Sequence, residues 1–587
     1  MPPIGIDVVL TGIPSFSVLC RSLLGVVTAV ILLLLPGLAI GSALLKDATL
    51  DERLAMAPLI SIGLLSAVVV ASLVLPFDPV LLVRGSSVLI AVILFYLAAS
   101  RNPHISTRNM RIWDQPGLFS WVLLSVFAAL FVSLPIRVSD IPYMISNDLF
   151  SSRIPLMPGD PYLPYRTLQF LTNRLDPKTV NYYCCGWQIT DRTPLMSLVT
   201  GFPYLLFGVR PPTAFLWELG STDDVGAYWI FRLTAQTLQA LPLLSSYVLV
   251  KRIVGAKVAA LTSFLLILNP FVFWNVLYTS PKSMGAYFVL LFYYLVMKRR
   301  YALLAGASAA FAYLSHPFTV FYTVPGFLFL IVQQKGAAGI GRYTLGLLSS
   351  AVAITIPWFV YASAVSTSLS PFYLYPFATS PEQMLNNPSS VIPQFLQRPV
   401  WLTLWIRLVN ALRTLTPFPL MFSPSEYPQI PDPVGKLVPS LSFAVLTTYL
   451  HTLPGALAAA FSVPAYTVLT KRLLEPTKKA LLLGALPLAL SVSYFGYLTG
   501  GVADLVAMPL VPIIVALAVE HLNGRRILAG LAVVLLLENL GFLWVFLYPA
   551  QLIFGLGEMQ FVIAVALIFA LYVLILLRLR IYLSYPP

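Results

Sequence analysis

Long apolar stretches recur along the whole chain, at about 18–40, 54–76, 80–99, 118–135, 226–250, 258–274, 282–297, 302–315, 317–332 and 344–363, then at about 439–470, 480–498, 503–521, 526–548 and 556–577. A helix needs roughly 20 mainly apolar residues to cross a bilayer, so the pattern predicts an all-α polytopic membrane protein with about 15 transmembrane helices. The stretch over 302–332 is one hydrophobic block divided by His316-Pro317. Two long segments interrupt the rhythm, 136–225 and 364–438. Each contains a shorter apolar run, 194–208 (with Pro203) and 401–412 (with Arg407, and Arg413 just beyond), that reads as a helix lying in the membrane interface. The chain thus divides into a three-helix module over 1–113 and a core over 114–363 that contains the first long segment. The second long segment, 364–438, and the last helices, 439–587, complete it. Long loops rich in Tyr, Trp and Pro, as both of these are, are usually functional.

Composition leaves no soluble alternative. Of the 587 residues 58% are apolar and 10% charged, against about 25% charged in an average soluble protein. The mean hydropathy is +0.86. Disorder and a string of soluble domains are both excluded. The net charge of +14 is explained by orientation. Lys46, Arg53, Arg101, Arg108, Arg111, Lys251, Arg252, Lys257, the run Lys298-Arg299-Arg300, Lys335, Arg342, Lys471, Arg472, Lys478, Lys479, Arg525, Arg526, Arg578 and Arg580 all fall on one side when the spans alternate. The positive-inside rule makes that side cytoplasmic. A cytoplasmic C-terminus and two extracytoplasmic long segments follow; the cell membrane of a prokaryote is the expected location. Basic clusters that set topology imply no nucleic-acid partner. Three cysteines, Cys20, Cys184 and Cys185, suit neither a disulfide framework nor a zinc site. The N-terminus has no basic stretch before its apolar one, so a cleavable signal peptide is not expected.

Acidic residues are scarce, and Asp140, Asp148, Asp160, Asp176, Asp191, Glu218, Asp223 and Asp224 concentrate in the first outer segment. Asp140 stands only a few residues beyond the span ending near Pro135, and Asp148 follows in Ser146-Asn147-Asp148. A carboxylate at a water–lipid boundary is partly desolvated, which raises its pKa toward neutrality and suits it to general-base work. Arg232 lies inside a span, where a guanidinium pairs with an anion or faces a wet cavity; a phosphate fits its fork geometry. Lys282 opens a later span on the outer side, His316 is the only histidine within a hydrophobic block, and Arg192 precedes the first interfacial helix. Asp223-Asp224 is a candidate for a divalent ion, Mg or Mn. Walker loops, zinc-protease motifs and nucleophile elbows are absent from the sequence.

An acidic outer loop with an interfacial helix is followed by a helix bundle that contains Lys251-Arg252-Ile-Val-Gly255, Leu268-Asn269-Pro270-Phe271, Tyr278-Thr-Ser-Pro-Lys282 and Leu314-Ser-His316-Pro317. This combination resembles the GT-C superfamily of membrane glycosyltransferases, in the pattern of protein O-mannosyltransferase and aminoarabinose-transferase-like enzymes. Ala507-Met-Pro509-Leu-Val-Pro512 looks like the family's Pro-containing helix near the lipid phosphate; where many members have an arginine shortly before it, this chain has Asp504. The first three spans, with Leu35-Pro36-Gly37, look like an added module. The resemblance implies transfer of a sugar from a polyprenyl-phosphate donor to a glycan, lipid or protein acceptor at the extracytoplasmic face. Asp140 or Asp148 would be the base, with Arg232, Lys282, His316 and Arg192 at the donor phosphate. The competing expectations are a flippase or transporter of lipid-linked saccharide, an O-antigen ligase or polymerase, and a non-catalytic scaffold of the same shape.

Overall fold

The structure is a computed structural model. It describes residues 16–99, 115–132, 162–175, 188–209, 225–277, 279–332, 337–366, 373–380, 387–415, 508–521 and 558–584, with short pieces at 383–384, 487, 494–497, 530–533, 535–536 and 539. The described residues are helical and contain no strand.

The apolar stretches become helices close to where the hydropathy places them. They are α1 (Phe16–Leu44), α2 (Leu50–Val74), α3 (Pro79–Ala99) and α4 (Pro116–Val132), then α5 (Tyr162–Thr172) and α6 (Leu195–Phe207) from the first long segment. The core continues with α7 (Val225–Gln239), α8 (Pro242–Ile253), α9 (Ala256–Leu268), α10 (Pro270–Leu277), α11 (Lys282–Lys298), α12 (Ala302–Ser315), α13 (Val320–Val332) and α14 (Ala337–Val365). The second long segment gives α15 (Val391–Gln397) and α16 (Val400–Leu415), and the C-terminal part gives α17 (Val511–His521) and α18 (Glu558–Ser584). Among the described residues four helical runs are long and apolar enough to cross a membrane, Leu19–Leu44, Leu50–Val74, Ile230–Ile253 (α7 continued by α8) and Gly341–Val365. The pair α9–α10 makes a fifth candidate, bent by 68°. The bend falls at Asn269-Pro270, where proline removes a backbone donor. The stretches at 439–470 and most of 480–498 and 526–548 lie outside the described residues.

One long core joins α1, α2, α4, α7–α14, α17 and α18. Close backbone approach is built in by glycine: a Cβ on Gly37 of α1 would stand 1.9 Å from the Ala57 carbonyl oxygen of α2, and one on Gly306 of α12 2.0 Å from the Leu347 carbonyl oxygen of α14. Small residues at such crossings are how helices gain van der Waals contact inside a bilayer, where lipid is as apolar as leucine. Outward, α14 presents Leu345, Leu348, Val352, Ile356, Phe359 and Val360 to its surroundings. That stripe runs at helical spacing and is far more apolar than a water-facing helix tolerates.

The two expected interfacial helices differ. Helix α16 exposes Val400, Trp401, Leu404, Trp405 and Leu408, while Arg407 donates to the Pro376 carbonyl and Asn410 to the Tyr497 carbonyl. Its apolar face, with two tryptophans, is thus turned outward and its polar groups toward loop carbonyls. Helix α6 is present but does not lie over the bundle; it is wedged among α2, α3, α5 and α7, with Leu195 through Leu205 almost wholly buried. At 13 residues it is about 20 Å long, too short to cross. Hydropathy cannot separate burial in protein from burial in lipid, which is why the sequence put α6 on the surface.

At one end of the bundle the α1–α2 turn is clasped to the core. Asp51 pairs with Lys251 at the end of α8, Glu52 with Lys298 at the end of α11, and Asp47 with Arg300 at 3.8 Å. Tyr294 also donates to Glu52. Basic groups that the alternation assigns to one side therefore meet at one end. Lys282, at the start of α11, sits 17 residues of helix away, about 25 Å.

Candidate functional site

The far end is built on α7. Arg232, Gln236 and Gln239 recur one and two turns apart and are all buried, so one helix face carries three long polar side chains. Trp121 of α4 fixes the opposite side of α7 by donating to the Thr237 carbonyl at 2.9 Å. The polar face meets the start of α11. Gln239 accepts from the Met284 amide at 2.8 Å through Oε1, and its carbonyl accepts from Ser283 Oγ at 2.7 Å. Arg232, fully buried, donates from Nη1 to Thr279 Oγ1 at 3.1 Å. Its Nε and Nη2, and both amide atoms of Gln236, have no hydrogen-bond partner among the described residues.

Helix α11 begins after Pro281, with Lys282 at its first position and 6% exposed. A helix start carries a partial positive charge; here the Lys282, Met284 and Gly285 amides already donate, to the Ser280 carbonyl, Gln239 Oε1 and the Pro281 carbonyl. A lysine at that position adds to the dipole instead of cancelling it.

Beside this turn is a small cavity of about 10 Å³, room for about one water, lined by Leu163, Pro164, Arg192, Thr193, Ser280, Pro281, Ser315, His316 and Pro317. Arg192 follows the short turn Ile189–Asp191, which is closed by Asp191 Oδ2 accepting from the Gln188 amide at 2.7 Å. His316 ends α12 because Pro317 cannot continue it. Its Nδ1 accepts from the Phe318 amide at 3.4 Å, which leaves the ring proton of the neutral imidazole on Nε2. The imidazole stacks on Phe318 at 5.2 Å and 17°.

The four basic residues singled out in sequence thus gather around one turn. Arg192 and His316 line the same cavity as Ser280 and Pro281, Lys282 is next in the chain, and Arg232 reaches Thr279. Gln236 and Gln239 were missed; their spacing of four and seven from Arg232 was the available signal. The buried carboxylate Asp191, next to Arg192, had been counted only among loop acids. Asp140, Asp148, Asp223, Asp224 and Asp504 lie outside the described residues. Among the described residues no group of three or more His, Cys, Asp or Glu side chains is placed to hold a metal ion. No protein-family model, no curated protein and no solved structure matches the chain.

Proposed function

We propose that this protein is a membrane glycosyltransferase of the GT-C type, with about 15 membrane crossings. It moves a sugar from a polyprenyl-phosphate donor to an acceptor at the extracytoplasmic face of a prokaryotic cell membrane. The observation that carries the proposal is Arg232: a fully buried guanidinium with two unbonded nitrogens at the start of a helix headed by Lys282. Each donor left without a partner when buried costs about 1–3 kcal/mol. A phosphate monoester or diester offsets this term, because its oxygens accept from the guanidinium fork.

In the reaction, Asp140 or Asp148 takes the proton from an acceptor hydroxyl as that oxygen bonds to the anomeric carbon. The bond from this carbon to the phosphate oxygen breaks, and polyprenyl phosphate leaves carrying the bonding electron pair. Negative charge grows on the leaving phosphate, where Arg232, Lys282, Arg192 and the Nε2–H of His316 stabilise it. The position of α16, with its tryptophans outward, supports placing this chemistry at a membrane surface.

Binding of radiolabelled polyprenyl phosphate to the purified chain tests the assignment. Lys282→Gln and Arg192→Gln are expected to weaken it at least tenfold each. Equal binding by both variants would remove the phosphate site from this turn.

A further inference from the structure

Directly beyond His316 lies a second cluster that the proposed chemistry does not use. Phe318, stacked on His316, stands 5.4 Å from Tyr494, 5.5 Å from Phe495 and 6.4 Å from Tyr375. Tyr494 meets Phe321 at 5.0 Å, and Tyr375 meets Phe495 at 5.2 Å. The rings come from three distant pieces of chain: the turn after α12, the segment 373–378 and the segment 494–497.

Backbone bonds hold the last two pieces side by side. The Gly496 amide donates to the Tyr375 carbonyl at 2.8 Å. Arg398 donates to the Gly496 carbonyl at 2.5 Å and to that of Ala378 at 3.3 Å, and Arg407 to that of Pro376 at 3.3 Å. Two arginines are thus committed to fixing loop backbone, an arrangement that preorganises the rings above it.

The rings are sorted by chemistry. Phe318 and Phe495 are buried, Tyr375 and Tyr494 are half-buried, and Tyr373 is 57% exposed. Tyr373 stands two residues before Tyr375, and Tyr313 stands three residues before His316 at the end of α12. Phenylalanines form the floor and phenols the rim. The nearby outward surfaces are different: among their large exposed side chains α16 offers Trp401, Leu404, Trp405 and Leu408, and α14 aliphatic residues with one Phe, with no phenol in either set. A ligand matching flat rings with a hydroxylated rim has apolar C–H faces and hydroxyl edges. An isoprenoid has the first and lacks the second.

We propose that Tyr313, Tyr373, Tyr375 and Tyr494, over Phe318, form a carbohydrate-binding subsite. Pyranose faces stack on the rings, and sugar hydroxyls bond to the phenols. Its continuity with His316 places one end of the bound saccharide at the cationic turn. That this saccharide is the acceptor rests on the glycosyl-transfer reading; that it binds does not.

Saturation-transfer NMR and calorimetry on the full chain in lipid nanodiscs, with maltotetraose, mannotetraose and chitotetraose as probes, test the subsite. At least one tetrasaccharide is expected to bind, and Tyr373→Ala and Tyr494→Ala to weaken it at least tenfold. Tyr373 is exposed, so its replacement leaves folding intact; Tyr96→Ala, at an exposed ring on α3, is expected to change nothing. No binding by any of the three probes overturns the proposal, as does binding that both platform variants retain. Loss of polyprenyl-phosphate binding in these variants without loss of saccharide binding overturns it in favour of an isoprenoid groove. Saccharide binding without sugar transfer would leave the subsite standing and remove the transferase reading.

Discussion

Arg232 on α7 reaches across to Thr279, 3.1 Å away, and this single bond ties a fully buried charge to the turn that opens α11. Its Nε and Nη2 have no hydrogen-bond partner among the described residues. Arg232→Met keeps the bulk and removes the charge. The Thr279 hydroxyl then loses a partner, at about 1 kcal/mol, while removing two buried donors without partners is worth at least as much. The melting temperature of the ligand-free variant is expected to stay level or rise, and the stabilisation that polyprenyl phosphate gives the parent protein to vanish. A scanning fluorimetry series with and without that lipid reads both.

The clasp at the other end contains pairs of unequal value. Glu52 and Lys298 are largely shielded from solvent and share Tyr294, whereas Asp47 and Arg300 are mostly exposed. A double-mutant cycle on Glu52 and Lys298 is expected to give a coupling of about 1 kcal/mol or more, since shielded charge-assisted bonds exceed surface pairs. The cycle on Asp47 and Arg300 is expected to give none that can be measured, because solvent screens the pair.

Gly37→Ala drives a methyl to 1.9 Å from the Ala57 carbonyl oxygen, a backbone atom that cannot step aside. The cost is expected to be about 3 kcal/mol or loss of the folded form, because overpacking of a tight site is felt in full. Gly85→Ala on α3 meets nothing within 4 Å and is expected to be neutral or slightly stabilising, since alanine is the better helix former. Thermal unfolding of the two variants checks the contrast.

Trp401 and Trp405 face outward on α16, and Trp121 is fully buried beside α7. In nanodiscs made with brominated lipid, replacing either exterior tryptophan by Phe is expected to lower the quenched share of the fluorescence. Trp121→Phe is expected to lower only the unquenched share. Equal quenching for all three would place α16 away from lipid.

Much of this architecture is legible in sequence because burial in lipid and burial in protein both demand apolar residues: α1, α2, α3 and α14 fall within a few residues of their hydropathy stretches. The same degeneracy hides α6, whose apolar residues face helices. The basic residues at the cationic turn stand out because a charge inside an apolar block is expensive wherever it is found. Asn269-Pro270 shows a break but not its 68° angle, which depends on how α9 and α10 pack. The tyrosine platform is illegible in one dimension. Tyr375 and Tyr494 are far apart in the chain, and bonds made to loop carbonyls by Arg398, Arg407, Asn410 and the Gly496 amide hold their segments together. Gln236 was open to detection through its spacing from Arg232, yet a glutamine in a helix has no signature of its own.

The central claim is transfer of a sugar from a lipid phosphate, and the most direct measurement is a transfer assay with the purified full chain. It combines polyprenyl phosphates carrying radiolabelled hexoses or pentoses with a glycan, lipid and peptide acceptor panel. Labelled product is expected with the parent protein. A fall of at least a hundredfold is expected in either Asp140→Asn or Asp148→Asn, and a comparable fall in Arg232→Gln. Full activity retained by both aspartate variants, or by Arg232→Gln, or no transfer from any labelled donor, would contradict the claim.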